Sequence, residues 1–97
     1  MSKTKIQNNY EEILIQLSEK ENEYIALDSQ LWIEYSRELP IIFKKYGITA
    51  STKQSFAHLL RVKPDLEEDF RNWNKLQVEV KQLERLCYLL KRRLENE

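Results

Sequence analysis

A chain of 97 residues with sixteen Lys or Arg against sixteen Asp or Glu has room for one domain with a modest core. Its zero net charge gives no global electrostatic case for nucleic acid or an anionic membrane. Charged residues make up 33% of the chain, with one Gly and two Pro, which disfavours a turn-rich sheet and favours long helices. Five Tyr, three Phe and two Trp argue against disorder, and no apolar run reaches membrane-spanning length.

From residue 3 onward, Ile6, Tyr10, Ile13, Leu17, Tyr24, Leu27 and Leu31 alternate at spacings of three and four, interrupted only at Lys20. That spacing predicts a helix over about 3–38 with one continuous apolar seam. Leu14, Ile25 and Trp32 recur at a helical period on another face, with Ile15 and Ile33 nearby, and a helix apolar on two sides touches two neighbours. Pro40 lacks a backbone donor and disfavours helix at Leu39, so the first helix is expected to end there. A short helix over about 41–46 follows, stopped by Gly47. Ile48, Thr49 and Ala50 read as a turn. Ser51 and Gln54 have capping-box spacing, predicting a second short helix over about 52–62 with Phe56, Leu59 and Leu60 inward.

Pro64 is placed to begin the last helix, over about 64–95, and Asp65, Glu67, Glu68 and Asp69 complement its positive end. Leu66, Trp73, Val80, Cys87 and Leu94 then recur every seven residues, with Leu76, Leu83 and Leu90 between them. This is a coiled-coil-type seam. The expected fold is therefore all-α: two long amphipathic helices in an antiparallel coiled-coil-like hairpin, with two short helices between them. Val78, Leu86, Tyr88 and Leu89 fall outside the seam and predict a dimer or a partner helix.

Charge is segregated along the chain. Residues 1–39 hold four basic and eight acidic side chains, residues 40–64 five basic and none acidic, and residues 65–97 seven basic and eight acidic. The acid-free island carries Lys44, Lys45, Lys53, Arg61, Lys63 and the single histidine, His58. As a helix-turn-helix its second helix would offer Lys53, His58 and Arg61 to phosphates. That pattern wants an apolar residue about six positions after the turn glycine, where Lys53 stands. The other reading is a basic tip facing solvent or an acidic protein surface.

One His and one Cys some thirty residues apart supply neither metal-ligand spacing nor a nucleophile–base pair, and the single glycine excludes a glycine-rich phosphate cradle. The carboxylate pairs fall on solvated helix faces, without the concave surroundings that tune catalytic acids. The sequence therefore predicts no enzyme, no cofactor and no metal. His58 reads as a surface or capping residue and Cys87 as a small buried hydrophobe. Trp32, Ile33 and Tyr35 lie together off the main seam and are the expected intermolecular anchors, with Lys44, Lys45, Lys53, His58 and Arg61 as a charged surface beside them. The polar start, residues 1–12, lacks the apolar core of a secretory signal, and a lone Cys makes no internal disulfide, so a cytoplasmic protein is expected.

The Leu39-Pro40 break, the glycine turn, the Ala50-Ser51-Thr52-Lys53-Gln54-Ser55 stretch and the acidic 65–69 lead into a long C-terminal helix. In this order of elements the chain resembles the Gam-type host-nuclease inhibitors of phages, small all-helical dimers that block the bacterial double-strand-end exonuclease. The resemblance covers most of the chain as architecture, and as residues only the Ala50-Ser51 to Ser55 stretch and the Leu39-Pro40 break. It implies a dimer that acts by occupying a partner protein. Occupying a DNA-binding channel by mimicry calls for acidic charge; Glu11, Glu12, Glu19, Glu21, Glu23, Asp28, Glu34 and Glu38 supply it on the first helix, and the basic tip does not. The expectation is a non-enzymatic, homodimeric interaction protein that blocks or recruits a protein partner, with a small nucleic-acid-binding regulator as the alternative.

Overall fold

The computed structural model describes residues 4–47 and 56–96. Every regular element among them is helical: α1 (Lys5–Tyr46), α2 (Phe56–Val62), a single 3-10 turn (Pro64–Leu66) and α3 (Glu67–Glu95). The all-α expectation holds. No helix among the described residues is long and apolar enough to cross a membrane.

The beginning of α1 is set by a capping box that the hydrophobic pattern does not reveal. Thr4 Oγ1 accepts from the Gln7 amide at 3.1 Å while Gln7 Oε1 accepts from the Thr4 amide at 2.9 Å, satisfying two donors that the first turn leaves orphaned. Its end is Gly47, at φ +67°, whose amide donates to the Phe43 carbonyl at 2.7 Å. A left-handed residue closing a helix is where glycine carries no side-chain penalty.

Between these ends α1 runs without a break, and Pro40 lies inside it. The expected stop at Leu39 and the separate helix over 41–46 are thus corrected: one helix spans both. Pro40 costs the chain one amide donor to the Ser36 carbonyl, but both residues are exposed, so that carbonyl sits on the solvent side. Seven residues apart on the opposite face, Tyr35 and Ile42 are almost wholly buried, and continuing the helix is what keeps Ile42 on that face. The expected turn at 48–50 and capping box at Ser51 and Gln54 lie outside the described residues, as does Lys53; the described part of the second short helix starts at Phe56.

Pro64 opens the 3-10 turn that leads into α3. Glu67, Glu68 and Asp69 occupy the first turn of α3 and Arg92 and Arg93 its last, the polarity its dipole favours.

The chain divides into two compact bodies. In the body Ile25–Trp73 the core is Leu31, Tyr35 and Ile42 from α1, Phe56 and Leu59 from α2, Leu66 from the turn, and Phe70 and Trp73 from α3. Phe56 is its hub. Its ring centroid lies 4.4 Å from Trp32, 6.1 Å from Tyr35, 5.6 Å from Phe70 and 5.3 Å from Trp73, in tilted and edge-on geometries that suit aromatic quadrupoles. Two polar contacts fasten the same body across long sequence separations: Trp73 Nε1 donates to Asp28 Oδ1 at 2.9 Å, and Lys63 Nζ to Glu34 Oε2 at 2.8 Å.

The second body comprises Met1–Tyr24 with Asn74–Glu97. Here the seam positions of α1 (Ile6, Tyr10, Ile13, Leu17, Tyr24) are all half-buried, as are Leu76, Val80, Leu83, Leu90 and Leu94 of α3, with Cys87 buried among them. Lys20, the interruption in the first seam, bonds Glu79 of α3 at 3.1 Å and Glu23 at 3.6 Å. A charge at a seam position is tolerated when it reaches an opposite charge on the neighbouring helix.

Candidate protein-interaction surface

Along α1 in the body Ile25–Trp73, the residues that do not face the core form a second apolar row. Ile25, Ser29, Trp32, Ser36, Leu39 and Phe43 follow spacings of four, three, four, three and four, which hold to one stripe of a helix. Ile25 and Phe43 are 59% and 55% exposed, and Ile33 beside them is 53% exposed. Trp32 is half-buried. One side of its indole meets Phe56, and with Ile33, Ser36 and Arg37 it lines an open depression of about 390 Å³.

The sequence-predicted anchors therefore divide. Trp32 and Ile33 lie on this face. Tyr35 does not: at 1% exposure it is a core residue, edge-on to Trp32 at 5.8 Å, and leaves no surface for a partner. The physical reason is angular: Tyr35 stands four residues after Leu31 and seven before Ile42, the spacings of the buried stripe, which puts it on the core face against Phe56.

The basic residues form a looser group. Lys44 and Lys45 are exposed in the last turn of α1, where they complement its negative end. His58 and Arg61 of α2 both converge on Tyr46: the imidazole lies 5.1 Å from the phenol ring, and the guanidinium carbon sits 5.8 Å from its centroid. His58 Nδ1 is buried and has no hydrogen-bond partner among the described residues. Lys63, the remaining cation of the described island, is held by Glu34. The Lys63 hydrogen bond keeps the Glu34 carboxyl below the usual carboxylate range, with the Lys63 and Arg37 charges adding to it against a desolvation cost; the Lys63 ammonium is raised in turn.

Sequence reasoning missed Phe43, Tyr46, and the pairs Glu34–Lys63 and Asp28–Trp73. For Phe43 a signal existed. The row Ile25, Trp32 was legible, and continuing its count through Pro40 would have reached Ser36, Leu39 and Phe43. The two polar pairs join residues 29 and 45 positions apart, which no local pattern encodes.

Among the described residues no group of three or more His, Cys, Asp or Glu could hold a metal. Cys87 is buried, and burial, followed by the nearby Glu21 and Glu84 charges, pushes its thiol up, away from the nucleophilic thiolate. What the surface offers is apolar area flanked by charge. No protein family, curated protein or solved structure matches the chain.

Proposed function

We propose that this chain is a non-enzymatic helical interaction protein: it sets the outer apolar face of α1 against a protein surface, homodimerises, and acts by blocking or recruiting its partner. The observation that carries this reading is the exposure of Ile25 and Phe43 on the outer row, with Ile33 beside it and a depression at the half-buried Trp32. The heptad seams of α1 and α3 pair within the chain as an antiparallel hairpin, a reading supported by Lys20 with Glu79 in one body and Asp28 with Trp73 in the other. The role is cytoplasmic. A phage-type antagonist of a host nuclease or defence complex is one version of the mechanism, motivated by the resemblance to Gam-type inhibitors.

The test compares wild type with Ile33→Glu in light scattering and in co-purification from a bacterial extract. Wild type is expected to associate, with itself or with a captured protein in stoichiometric amount; the variant keeps its helicity and loses that association. A wild type that stays monomeric and captures nothing contradicts the reading.

A second reading, a nucleic-acid-binding regulator, draws support from the gathering of His58 and Arg61 on Tyr46 near exposed Lys44 and Lys45. Against it, Lys63 is committed to Glu34, and the chain has zero net charge. Salt-dependent binding of duplex DNA, lost in Lys44→Glu/Arg61→Glu, would favour this reading; absence of binding at low salt removes it.

A further inference from the structure

In the body Met1–Tyr24 with Asn74–Glu97 each helix carries a second row opposite its seam. On α1 it is Asn8, Glu12, Ile15, Glu19 and Asn22, at spacings of four, three, four and three; on α3 it is Gln82, Arg85, Leu89, Arg92 and Asn96, at three, four, three and four. At about 100° per residue, each member lies within about 40° of the point opposite Leu17 on α1 or opposite Cys87 on α3. All of these side chains are exposed, Ile15 at 60% and Leu89 at 47%.

The two rows carry opposite charge. Between residues 8 and 24 α1 has one cation, Lys20, and it lies toward the seam, bonded to Glu79 at 3.1 Å. Between residues 80 and 94 α3 has one acid, Glu84, and it lies within about 60° of buried Cys87. The row on α1 is therefore acidic without a base, and the row on α3 basic without an acid. Glu12, Glu19 and Arg85 make no ion pair among the described residues, and Arg92 lies over the Tyr88 ring of its own helix at 5.8 Å.

Laid antiparallel, the rows match position by position: Asn8 with Asn96, Glu12 with Arg92, Ile15 with Leu89, Glu19 with Arg85 and Asn22 with Gln82, over roughly 21 Å at about 1.5 Å per residue. Other registers lose the match. A shift of one turn in either direction sets Glu12 or Glu19 on Leu89, and a shift of one heptad sets Glu19 on Val78 or Ile15 on Asn96. We infer that the acidic row of α1 in one copy of this chain docks antiparallel on the basic row of α3 in the next. Each row faces away from the seam of its own helix, so the two meet only between chains. Every copy then offers one row to each of two neighbours, a heterologous contact that repeats head to tail instead of closing as a pair. This contact lies in a different body from the apolar row at Trp32 and goes beyond the role proposed for that row. Charge complementarity selects the copy, since both acids meet an arginine in the same register that sets Ile15 on Leu89.

The test uses the full chain carrying Ile33→Glu, which blocks the apolar row of the other body, in sedimentation equilibrium at low salt and in about 0.5 M salt. Salt screens exposed ion pairs, so this chain is expected to associate at low salt and to be monomeric in high salt. Added to it, Glu19→Arg or Arg85→Glu sets like charges face to face and is expected to weaken association about fivefold, with helicity unchanged by circular dichroism. Glu19→Arg/Arg85→Glu together restore an opposite-charge pair and should return association to within about twofold of its starting value. Glu19→Arg/Lys91→Glu has the same net charge but leaves the pair unmatched, because Lys91 stands off the row, and should stay weak. That pattern supports the contact. A chain that is monomeric at low salt, no recovery in Glu19→Arg/Arg85→Glu, or equal recovery in both double variants overturns it. None of these results decides the role of the apolar row, which is tested by Ile33→Glu against wild type in high salt, where the charged contact is silent.

Discussion

Replacing Phe56 by Ala should remove the centre of the body Ile25–Trp73. The ring is 2% exposed and in contact with Trp32, Tyr35, Phe70 and Trp73, so its deletion forfeits the transfer free energy of a buried phenyl group and leaves a cavity among four rings that are themselves held by separate helices. Phe→Ala in a packed core costs about 3–5 kcal/mol, and loss of ring–ring geometry places this site toward the upper end. For a domain of this size each kcal/mol lowers the melting temperature by about 4–8 °C, so a drop of roughly 15 °C or more is expected. Against a total stability of about 5–15 kcal/mol such a loss is large enough to leave the body partly unfolded at 37 °C. Urea denaturation followed by circular dichroism measures the stability change. Tryptophan emission gives a second readout, because both tryptophans of the chain, Trp32 and Trp73, touch Phe56 and should shift toward solvent-exposed emission. Phe56→Leu, which refills most of the volume, should recover a substantial part of the loss. A destabilisation under about 1 kcal/mol with unchanged emission would refute the hub assignment.

The Glu34–Lys63 pair makes a pH-dependent contribution. Because Glu34 is depressed by the Lys63 hydrogen bond, its stabilisation is complete above the ordinary carboxylate value of about 4.3 and is lost as pH falls through the lower folded value. The stability gap between wild type and Glu34→Gln should therefore close on acidification below about pH 4.3 in a urea series; a gap independent of pH would contradict the pairing. The raised Lys63 and Lys20 ammoniums, set by hydrogen bonds to Glu34 and Glu79, work at the other limit, present below about pH 10.4 and lost as pH rises through their folded values. Pro40→Ala restores the missing donor inside α1 and should stabilise the protein by about 1–2 kcal/mol in urea denaturation, the interior-proline penalty less the entropy that proline removes from the unfolded chain. A loss of stability would mean that the helix does not continue through position 40. Gly47→Ala places a Cβ at φ +67° in open space, so only the backbone penalty of about 1–2 kcal/mol applies, and Gly47→Asn should cost less by the same assay.

Much of the fold is legible in the sequence, and for one reason. Seam positions Ile6 to Leu31 and Leu66 to Leu94 obey a local period, and nearly every one of them is buried or half-buried as the period requires. Lys20 was visible as an interruption but not as an ion pair, because Glu79 lies on another helix. Pro40 misled for a physical reason: its local penalty is real, yet burial of Ile42 seven residues beyond Tyr35 outweighs it, and burial is a tertiary term. That one misplaced boundary had a second effect. It ended the count of the outer row before Phe43; Tyr35, separately, was grouped with Trp32 and Ile33 by proximity in sequence, although its spacing from Leu31 and Ile42 puts it on the core face. The aromatic hub was half visible, since Phe56 and Trp73 were read as buried, but which rings meet depends on three helices at once.

Sedimentation equilibrium of wild type beside Ile33→Glu bears most directly on the claim that the outer face of α1 is built to meet protein. The account predicts a self-associating wild type and a monomeric variant with unchanged helicity. Equal association of the two, or a wild type that remains monomeric and co-purifies with no protein, would contradict it.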